Sequence, residues 1–361
     1  MPFDAQAPYL STAATPTGQS RAVAYWLLAV ALMVWAMVAI GGATRLTGSG
    51  LSIMEWAPLS GTLPPMSEAE WNRLYDLYRT IPQYELVNRG FGLEGFKGIF
   101  WLEWIHRFWG RLLGLVYAGG LIWFWLRGGI PKGYGKHLLL LLVLGGLQGV
   151  VGWFMVASGF EADRTAVSPW RLVIHLGLAL LLFAMLLWTA LSLLRPERNA
   201  PPEAKALRPL AHATAGLMVL TMVAGGFVAG IKAGLDYNTF PLMGGRIIPE
   251  GYGALTPFAQ NFVANVAAVQ FNHRLLATLA GLAALALGWL ALRRLPAGVA
   301  RKAAIGFVGV VMVQYGLGVA TLLHVVPVWL GTLHQTVAVG VLGAALILLH
   351  ALRRPRQHPP T

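Results

Sequence analysis

Eight long apolar segments constrain the fold of this chain more than any other feature of its sequence. A bilayer crossing needs ~20 residues, and because hydrocarbon offers no hydrogen-bond partner to an open backbone, each segment is predicted to be a helix. Charged residues make up only 11% of the 361 positions, whereas a soluble domain carries roughly 25%. The sequence therefore predicts an all-α protein embedded in a lipid bilayer. The eight predicted transmembrane helices cover 22–43, 98–126, 137–157, 170–194, 208–230, 263–292, 302–324 and 328–352.

The distribution of basic residues predicts the orientation of these helices. Lys and Arg number 27 against 14 Asp and Glu, a net charge of +13, and most of the basic residues fall in alternate loops. Positively charged loops stay on the cytoplasmic side, so both termini are expected in the cytoplasm, with the protein in the plasma (inner) membrane. The basic surplus reports topology, and no nucleic acid is expected as a partner. The predicted inner loops carry Arg21; Arg127, Lys132 and Lys136; Arg195, Arg198, Lys205 and Arg208; Arg293, Arg294, Arg301 and Lys302; and Arg353, Arg354 and Arg356.

The chain contains no cysteine. This excludes structural disulfides, iron–sulfur clusters and covalently attached c-type haem. The N-terminal segment 1–21 lacks the basic start and the short apolar core of a signal peptide, and it is predicted to be a disordered cytoplasmic tail.

The two halves of the chain resemble each other. Corresponding motifs occur in the same order, and each half contains four predicted helices, so both halves enter the membrane from the same side. Such halves are related by an axis along the membrane normal, as a parallel repeat. We therefore expect two four-helix bundles, 1–200 and 201–361, joined by a charged, proline-rich linker at 195–209. The matching segments are MVWAMVAIGG (33–42) with MVLTMVAGG (218–226), LEWIHR (102–107) with VQFNHR (269–274), LGGLQGVVG (144–152) with VMVQYGLGV (311–319), and WRLVIH (170–175) with WLGTLH (329–334).

One outer loop distinguishes the halves. The segment 44–97, between the first two predicted helices, is longer than its counterpart in the second half. Long loops within a compact protein are usually functional or disordered. The stretch SEAEWNRLYDLYRTIPQYE (67–85) is amphipathic and rich in aromatic residues, which favours a short helix at the membrane interface over disorder.

The nine histidines fall into two groups. Five lie at predicted helix ends or in the C-terminal tail, where histidine is an ordinary interfacial residue. The other four lie inside even-numbered helices and recur with the repeat, at an expected depth of ~8–15 Å from the outer helix end. Ionisable residues at such a depth are functional candidates by default. The first group is His137, His212, His324, His350 and His358, and the second is His106, His175, His273 and His334.

The four intramembrane histidines are predicted to be metal ligands. A single intramembrane histidine often only bridges two helices, but four at one depth, paired by a repeat, indicate a shared task. Two imidazoles facing across a helix bundle hold the iron of a b-type haem. Zinc is disfavoured because no cysteine accompanies them and no acidic residue lies near His175, His273 or His334.

Small residues follow three of these histidines at helical spacing, on the same face of the helix. They would leave space for a flat macrocycle, although small residues also serve helix–helix packing. These positions are Gly110 and Gly114 after His106, Ala277 and Gly281 after His273, and Ala338 after His334.

Three arginines are candidates for binding the propionate groups of a haem. Arg107 and Arg274 each directly follow a histidine, and Arg111 lies one helical turn beyond Arg107. Arginine pairs with carboxylates through two parallel hydrogen bonds. For Arg107 a second interpretation stays open, an ion pair with Glu103 at i and i+4. Arg274 has no such acid, because the matching position is Gln270.

These residues together resemble the haem A synthase family. The resemblance rests on GGATRLTGSGLSIMEW (41–56), EWIHR (103–107), GLDYNTFPLM (234–243) and the four histidines, and it covers nearly the whole chain. It implies oxidation of the C8 methyl group of haem O, through hydroxylated intermediates, to the formyl group of haem A, which serves cytochrome c oxidase. Some members have cysteine pairs in their outer loops, and because this chain has none, no thiol-dependent step applies to it.

The resemblance also implies roles for individual residues. A resident haem b would lie on His273 and His334, and the substrate haem O would bind at His106 and His175. Glu103 would be needed for activity. The expected partners are haem O, the haem O synthase that supplies it, the lipid bilayer, and an unidentified electron donor or acceptor.

The difference between Glu103 and Gln270 predicts which half performs the chemistry. A carboxylate near a haem in hydrocarbon costs several kcal/mol unless it is paired or protonated. Glu103 is therefore predicted to be catalytic, as a proton acceptor or a stabiliser of developing positive charge, unless it only pairs with Arg107.

Two other classes of protein remain as alternatives. A bis-haem b-type cytochrome for electron transfer, such as a quinol oxidoreductase, would place its haems at different depths, whereas these histidines share one. A parallel-repeat transporter would use broken helices or polar sites at mid-membrane; no span is interrupted by proline, but Gln148 and Gln314 are candidates for a polar lining.

Overall fold

The computed structural model describes residues 17–162, 164–195 and 200–353 of the chain. This part forms eleven α-helices and no β-sheet, apart from one isolated bridge between Met243 and Arg246. Eight of the helices are long and apolar enough to cross a membrane, which confirms the predicted all-α architecture with eight candidate transmembrane helices. In chain order the helices are α1 (Gly18–Leu46), α2 (Glu68–Tyr78), α3 (Pro82–Leu86), α4 (Leu93–Leu126), α5 (Gly135–Ala157), α6 (Pro169–Leu194), α7 (Ala204–Gly230), α8 (Asn261–Ala264), α9 (Val266–Arg294), α10 (Val299–Leu323) and α11 (Val328–Ala351).

The predicted and observed bounds of the spanning helices differ in two instructive places. α4 begins at Leu93, ahead of the predicted start, so His106 lies further from its helix start than the other three histidines do. α7 begins at Ala204 and therefore contains Pro209, which the prediction put at the edge of its span. Several predictions lie outside the described residues, namely those for the tail 1–16, the linker centre 196–199 with Arg198, and the C-terminal Arg354, Arg356 and His358.

The long outer loop between α1 and α4 contains a folded helix. Ser67 caps α2 by accepting a hydrogen bond from the backbone N–H of Glu70 (3.2 Å), as is usual for a serine before the first turn. Trp71 of α2 packs edge-on against Phe96 and Phe100 of α4, with ring centroids 6.3 and 4.8 Å apart. The predicted short helix in this loop is therefore confirmed, and aromatic packing attaches it to α4.

The two largest hydrophobic clusters in the described part of the protein lie between the long helices. One is built by α1, α4, α5 and α6, and the other by α7, α9, α10 and α11. α11 contributes to both, with Val339 and Leu342 in the first cluster and Val341 and Ala345 in the second. α1 also packs against α11, and α7 against α6. The first spanning helix of each half thus lies against the last helix of the other half.

Candidate functional site

Each of the four histidines predicted to be metal ligands lies against a glycine of the preceding long helix. Contacts of a Cβ atom almost never fall below 3.0 Å, so a side chain at these glycines would displace the imidazole or crowd it closely. One local arrangement therefore occurs four times. An added Cβ would lie 3.1 Å from Nε2 of His106 at Gly41, 2.9 Å from Cε1 of His175 at Gly152, 3.0 Å from Cε1 of His273 at Gly225, and 3.0 Å from Cε1 of His334 at Gly318.

A glutamine orients one histidine in each half. The side-chain amide of Gln148 is hydrogen-bonded to Nδ1 of His175 (3.2 Å), and that of Gln314 to Nδ1 of His334 (3.1 Å). An amide nitrogen donates, so Nδ1 accepts in this arrangement, and binding a metal through Nε2 would require the amide to turn over so that its oxygen accepts from Nδ1–H. Oε1 of Gln148 and Oε1 of Gln314 are both buried without a hydrogen-bond partner. The two glutamines that were candidates for a transporter lining thus contact the predicted haem ligands.

The remaining two histidines differ from each other. Nδ1 of His273 is hydrogen-bonded to the backbone carbonyl of Thr221 (3.0 Å), one turn before Gly225. His106 instead turns Nε2 toward Gly41, and neither of its ring nitrogens is hydrogen-bonded within the described part of the chain. Both of these histidines of the second half are therefore hydrogen-bonded at Nδ1, whereas only His175 is in the first half.

A cavity of about 550 Å³ contains the histidine pair of the second half. His273 and His334 both line it and are close enough to interact electrostatically. The small residues Ala277 and Ala338, predicted to leave space beside these histidines, line it as well, together with Arg274. None of the described residues lining the cavity is acidic.

This cavity has the features that a b-type haem requires. It offers two imidazoles, mostly apolar walls, small residues and a cation for carboxylates. Nε of Arg274 and Oε1 of Gln314 are buried without a hydrogen-bond partner, which is uncommon unless a ligand or water satisfies them. In the described residues no three His, Cys, Asp or Glu converge as for a bare metal ion. Two imidazoles are sufficient for a haem iron, whose equatorial ligands come from the porphyrin.

In the first half, His106 and His175 are likewise close enough to interact electrostatically. Glu103, one turn before His106, is buried, with 2% of its surface exposed. Its Oε1 accepts from Nη2 of Arg107 (2.6 Å), so the ion pair that the sequence left open is present. Its Oε2 accepts from the Ser52 hydroxyl (2.7 Å) and from the Ile53 backbone N–H (2.9 Å).

Both arginines of the first half also bind the outer loop. Arg107 donates to the backbone carbonyls of Ile53 (2.7 Å) and Glu55 (2.8 Å). Arg111 donates to those of Ala57 and Pro58, each at 3.0 Å. Neither His106 nor His175 lines the pocket of about 310 Å³ beside Arg111.

The matching positions of the second half hold a loop in the same way. Nε2 of Gln270 donates to the carbonyls of Ala233 (2.5 Å) and Asp236 (2.6 Å). Arg274 donates to Oε1 of Gln270 (2.6 Å) and to the carbonyls of Tyr237 (2.6 Å) and Thr239 (2.8 Å). We call Glu103 with Arg107 the first clamp and Gln270 with Arg274 the second clamp.

The glycines opposite the histidines were missed as site residues, although the sequence carries a signal for two of them. Gln148 with Gly152, and Gln314 with Gly318, share a Q-x-x-x-G spacing. This spacing puts both residues on one face of a helix, where they meet the same histidine.

A second signal is the glycine doublet that ends the aligned segment of α1 and α7. The first glycine of each doublet faces the histidine of its own half. The second glycine faces the other half, because an added Cβ at Gly42 would lie 2.9 Å from Oε1 of Gln335, and one at Gly226 would lie 2.9 Å from Cγ2 of Val173.

The histidines predicted to be ordinary are engaged elsewhere. His137 is hydrogen-bonded to the Thr189 hydroxyl (2.8 Å). His212 and His324 each bond a carbonyl of their own helix. His350 is buried and packs edge-on against Trp188. None of these four lines the second-half cavity.

The described part of the chain is thus an all-α protein with eight helices long and apolar enough to cross a membrane, and two pairs of neighbouring histidines lie on those helices. The COX15-CtaA family, described as cytochrome oxidase assembly protein, matches residues 24–346, and the chain belongs to this family. It is 57% identical to the haem A synthase of Granulibacter bethesdensis over 94% of this chain and 90% of that protein. It is also 49% identical to the haem A synthase of Rhodospirillum centenum over 96% and 93%, and 48% identical to that of Beijerinckia indica over 93% and 94%.

Proposed function

We propose that this chain is a haem A synthase, a membrane oxidoreductase that converts the C8 methyl group of haem O to the formyl group of haem A through hydroxylated intermediates. Membership of the family and relatives named haem A synthase over nearly the full chain support the proposal. The single observation that carries it is the glycine-backed histidine, found twice in each half. In this proposal each pair of these histidines would bind one flat porphyrin through its iron.

The two halves divide the work in this proposal. Residues 1–200 form the bundle that binds haem O through His106 and His175, and residues 201–361 form the bundle that binds a resident haem b through His273 and His334. When bound, that haem b supplies one-electron redox chemistry, which relays electrons between the substrate site and an unidentified donor or acceptor.

In the second half the protein's part is to orient the ligands. The Thr221 carbonyl accepts from Nδ1 of His273, which leaves Nε2 of that ring for a metal, and the Gln314 side chain contacts Nδ1 of His334. Fixing the second nitrogen of a metal-binding histidine sets its ring orientation and its basicity. Arg274 supplies positive charge for the haem carboxylates beside His273.

In the first half we assign catalysis to Glu103. It lies one turn from His106, where it would accept a proton or stabilise positive charge that develops on the methyl carbon. Its pairing with Arg107 offsets the cost of burying a carboxylate in hydrocarbon. Arg107 and Arg111 supply the positive charge for the carboxylates of haem O.

The proposal includes the location and the partners of the protein. Basic inner loops support a plasma (inner) membrane protein with both termini in the cytoplasm. Both clamps would then lie toward the outer side. A haem O synthase is the proposed source of substrate, and cytochrome c oxidase is the destination of the product.

Haem extraction tests this function. The protein is purified after expression with and without a source of haem O, and its extracted haems are separated by chromatography. We expect haem b in both preparations, and haem O, oxidised intermediates and haem A only with the source. Haem b alone in both would instead support an electron-transfer cytochrome, and a protein free of haem would support a transporter.

A further inference from the structure

Two cations of the second-half cavity do not belong to the second clamp. Arg45 and Lys232 line the cavity with Arg274, and no acidic residue in the described part of the chain does so. Arg274 already uses both terminal nitrogens on Gln270 and on loop carbonyls. The cavity therefore contains a surplus of positive charge that the surrounding protein does not neutralise.

Arg45 reaches this cavity from the first half of the chain. It lies at the end of α1 and donates from Nη1 to the backbone carbonyl of Ala229, near the end of α7, at 3.0 Å. No carboxylate of the described residues pairs with it, and its Nε is buried without a partner. Burying a cation without a counter-ion is strongly unfavourable, so this position favours a bound anion.

Only the first half of the repeat has an arginine at the position of Arg45. The glycine doublets align Gly41 with Gly225, and four residues later they align Arg45 with Ala229. The second half therefore has no arginine at the position that matches Arg45. Because the first clamp already contains Arg107, Arg45 is not needed to hold the outer loop of its own half.

Lys232 lies at the mouth of the same cavity, two residues after α7 ends. Its backbone is in the left-handed region (φ 56°), which glycine adopts without strain and a lysine does not. Its side chain is exposed. A lysine at this strained turn supplies a charge at the rim, whereas Arg45 supplies one deeper between the halves.

We propose that Arg45 and Lys232 form a carboxylate-binding subsite of the second-half cavity, which would add to the positive charge that Arg274 offers to the propionates of a porphyrin bound by His273 and His334. The subsite makes the resident haem a ligand of both halves, because α1 contributes to its binding. This inference rests on the proposed function, since it requires a haem b in the second half. The competing explanation is that Arg45 only ties α1 to α7 through the Ala229 carbonyl.

Potentiometric titration of the purified, haem b-containing protein distinguishes these explanations. Removing a positive charge close to the haem stabilises the ferric state, so Arg45→Gln should shift the midpoint potential to a lower value, and Arg45→Lys should restore most of it. Arg171→Gln is the matched control. Arg171 also donates to a helix-end carbonyl at 3.0 Å, that of Phe154, but it does not line the cavity, so its variant should keep the wild-type potential.

Esterified haem provides a readout that does not depend on redox chemistry. The purified protein is stripped of haem and titrated with haem b or with its dimethyl ester, which lacks both carboxylates. Charge-assisted hydrogen bonds of this kind correspond to about a tenfold preference for the free acid in the wild-type protein. Arg45→Gln and Lys232→Gln should each reduce that preference, whereas Arg171→Gln should keep it.

The outcomes separate the inference from the function on which it rests. A wild-type potential together with a full preference for the free acid in Arg45→Gln and in Lys232→Gln would overturn the subsite. If Arg45→Gln does not fold, Lys232→Gln, at an exposed position, decides by the same two readouts. Wild-type protein without haem b would overturn the proposed function itself.

Discussion

The two clamps each hold a loop backbone, but their side chains have opposite hydrogen-bonding roles. In the first half a carboxylate accepts from a hydroxyl and a backbone N–H, those of Ser52 and Ile53. In the second half an amide donates to two backbone carbonyls, those of Ala233 and Asp236. Each clamp is completed by an arginine four residues later. The side chain in each half thus matches the hydrogen-bonding polarity of its own loop.

This comparison gives Glu103 a structural role in addition to the proposed catalytic one. Alignment alone shows Glu103 opposite Gln270 and suggests that an acid is kept for chemistry. The loop partners give it a structural reason as well, since an amide cannot accept from two donors with its nitrogen. Structural and catalytic roles for Glu103 are therefore compatible, and experiments have to separate them.

The largest expected effect comes from removing a ligand histidine in one half only. His273→Leu or His334→Leu should abolish the resident haem b, because each variant would lack one of the two imidazoles that would hold its iron. His106→Leu should keep haem b and lose haem A production. The optical spectrum per mole of purified protein measures this, with His212→Leu as the control. Unaltered low-spin haem b in both second-half variants would show that the halves are assigned wrongly.

Next in size is Glu103→Gln, which makes the two halves alike at this position. We expect haem b to be retained and haem O or a partly oxidised intermediate to accumulate. Haem A formation should fall on the order of a hundredfold, the usual contribution of a general acid or base. Chromatography of the extracted haems, with product formed per unit time, measures the effect.

Ser52→Ala is the control that separates chemistry from loop support. It removes one hydrogen bond from the carboxylate but leaves the carboxylate in place. If Glu103 acts on the substrate, Ser52→Ala should retain most haem A formation. Equal loss in both variants would mean that Glu103 acts only by holding the loop, and normal activity of Glu103→Gln would refute a catalytic role.

Gln270→Glu performs the reverse exchange in the second half. The new carboxylate would still pair with Arg274, but it would face two carbonyl oxygens and leave both without a donor. Each such loss costs about 1–3 kcal/mol, so we expect a lower thermal unfolding temperature in detergent. Gln270→Ala, which removes the donor without adding a charge, should be milder. A Gln270→Glu protein as stable as the wild type would mean that polarity matching has little energetic weight.

The sequence predicted the spanning helices well, and the contacts between them poorly. In hydrocarbon a backbone must satisfy its own hydrogen bonds, so helix formation follows from local hydropathy. The ion pair of Glu103 with Arg107 was foreseen as an alternative for the same reason, because it lies within one helix. The approach of Arg45 to Ala229 depends on how distant helices pack, and no local pattern encodes that.

Glycine replacement tests the four histidine contacts with a smaller effect. Gly318→Ala puts a methyl group against His334, and overpacking of this kind costs about 1 kcal/mol or more. We expect the haem b absorption bands to shift or weaken. Gly316→Ala, on the same helix, is the control, because nothing lies within 4 Å of an added Cβ there. Identical spectra for both variants would show that the glycine contact does not constrain the ligand.

The smallest expected effect concerns α2, which only the first half has. Arg73 of α2 donates to both oxygens of Glu55 (3.0 and 2.9 Å) and to Glu70 (2.8 Å). The backbone carbonyl of Glu55 accepts from Arg107 (2.8 Å), so this pair connects α2 to the first clamp. The hydrogen bonds from Arg73 lower the pKa of both carboxyls from their usual 4.5.

Because the pKa of both carboxyls is lowered in the folded state, the ion pairs of Arg73 should stabilise the protein less at acidic pH. A carboxyl with a lowered pKa in the folded state adds stability above its unfolded pKa, and the contribution is lost as the pH falls through the folded pKa. Because these groups are about half exposed, the loss should stay below about 1 kcal/mol. Hydrogen exchange of residues 68–78 should therefore accelerate as the pH is lowered below about 4.5, once the intrinsic pH dependence of exchange is corrected for. Arg73→Gln should exchange fast already at neutral pH, and residues 233–239, held by amide and carbonyl groups, should show no such change. Equal acceleration in both segments would mean that the ion pair does not connect α2 to the first clamp.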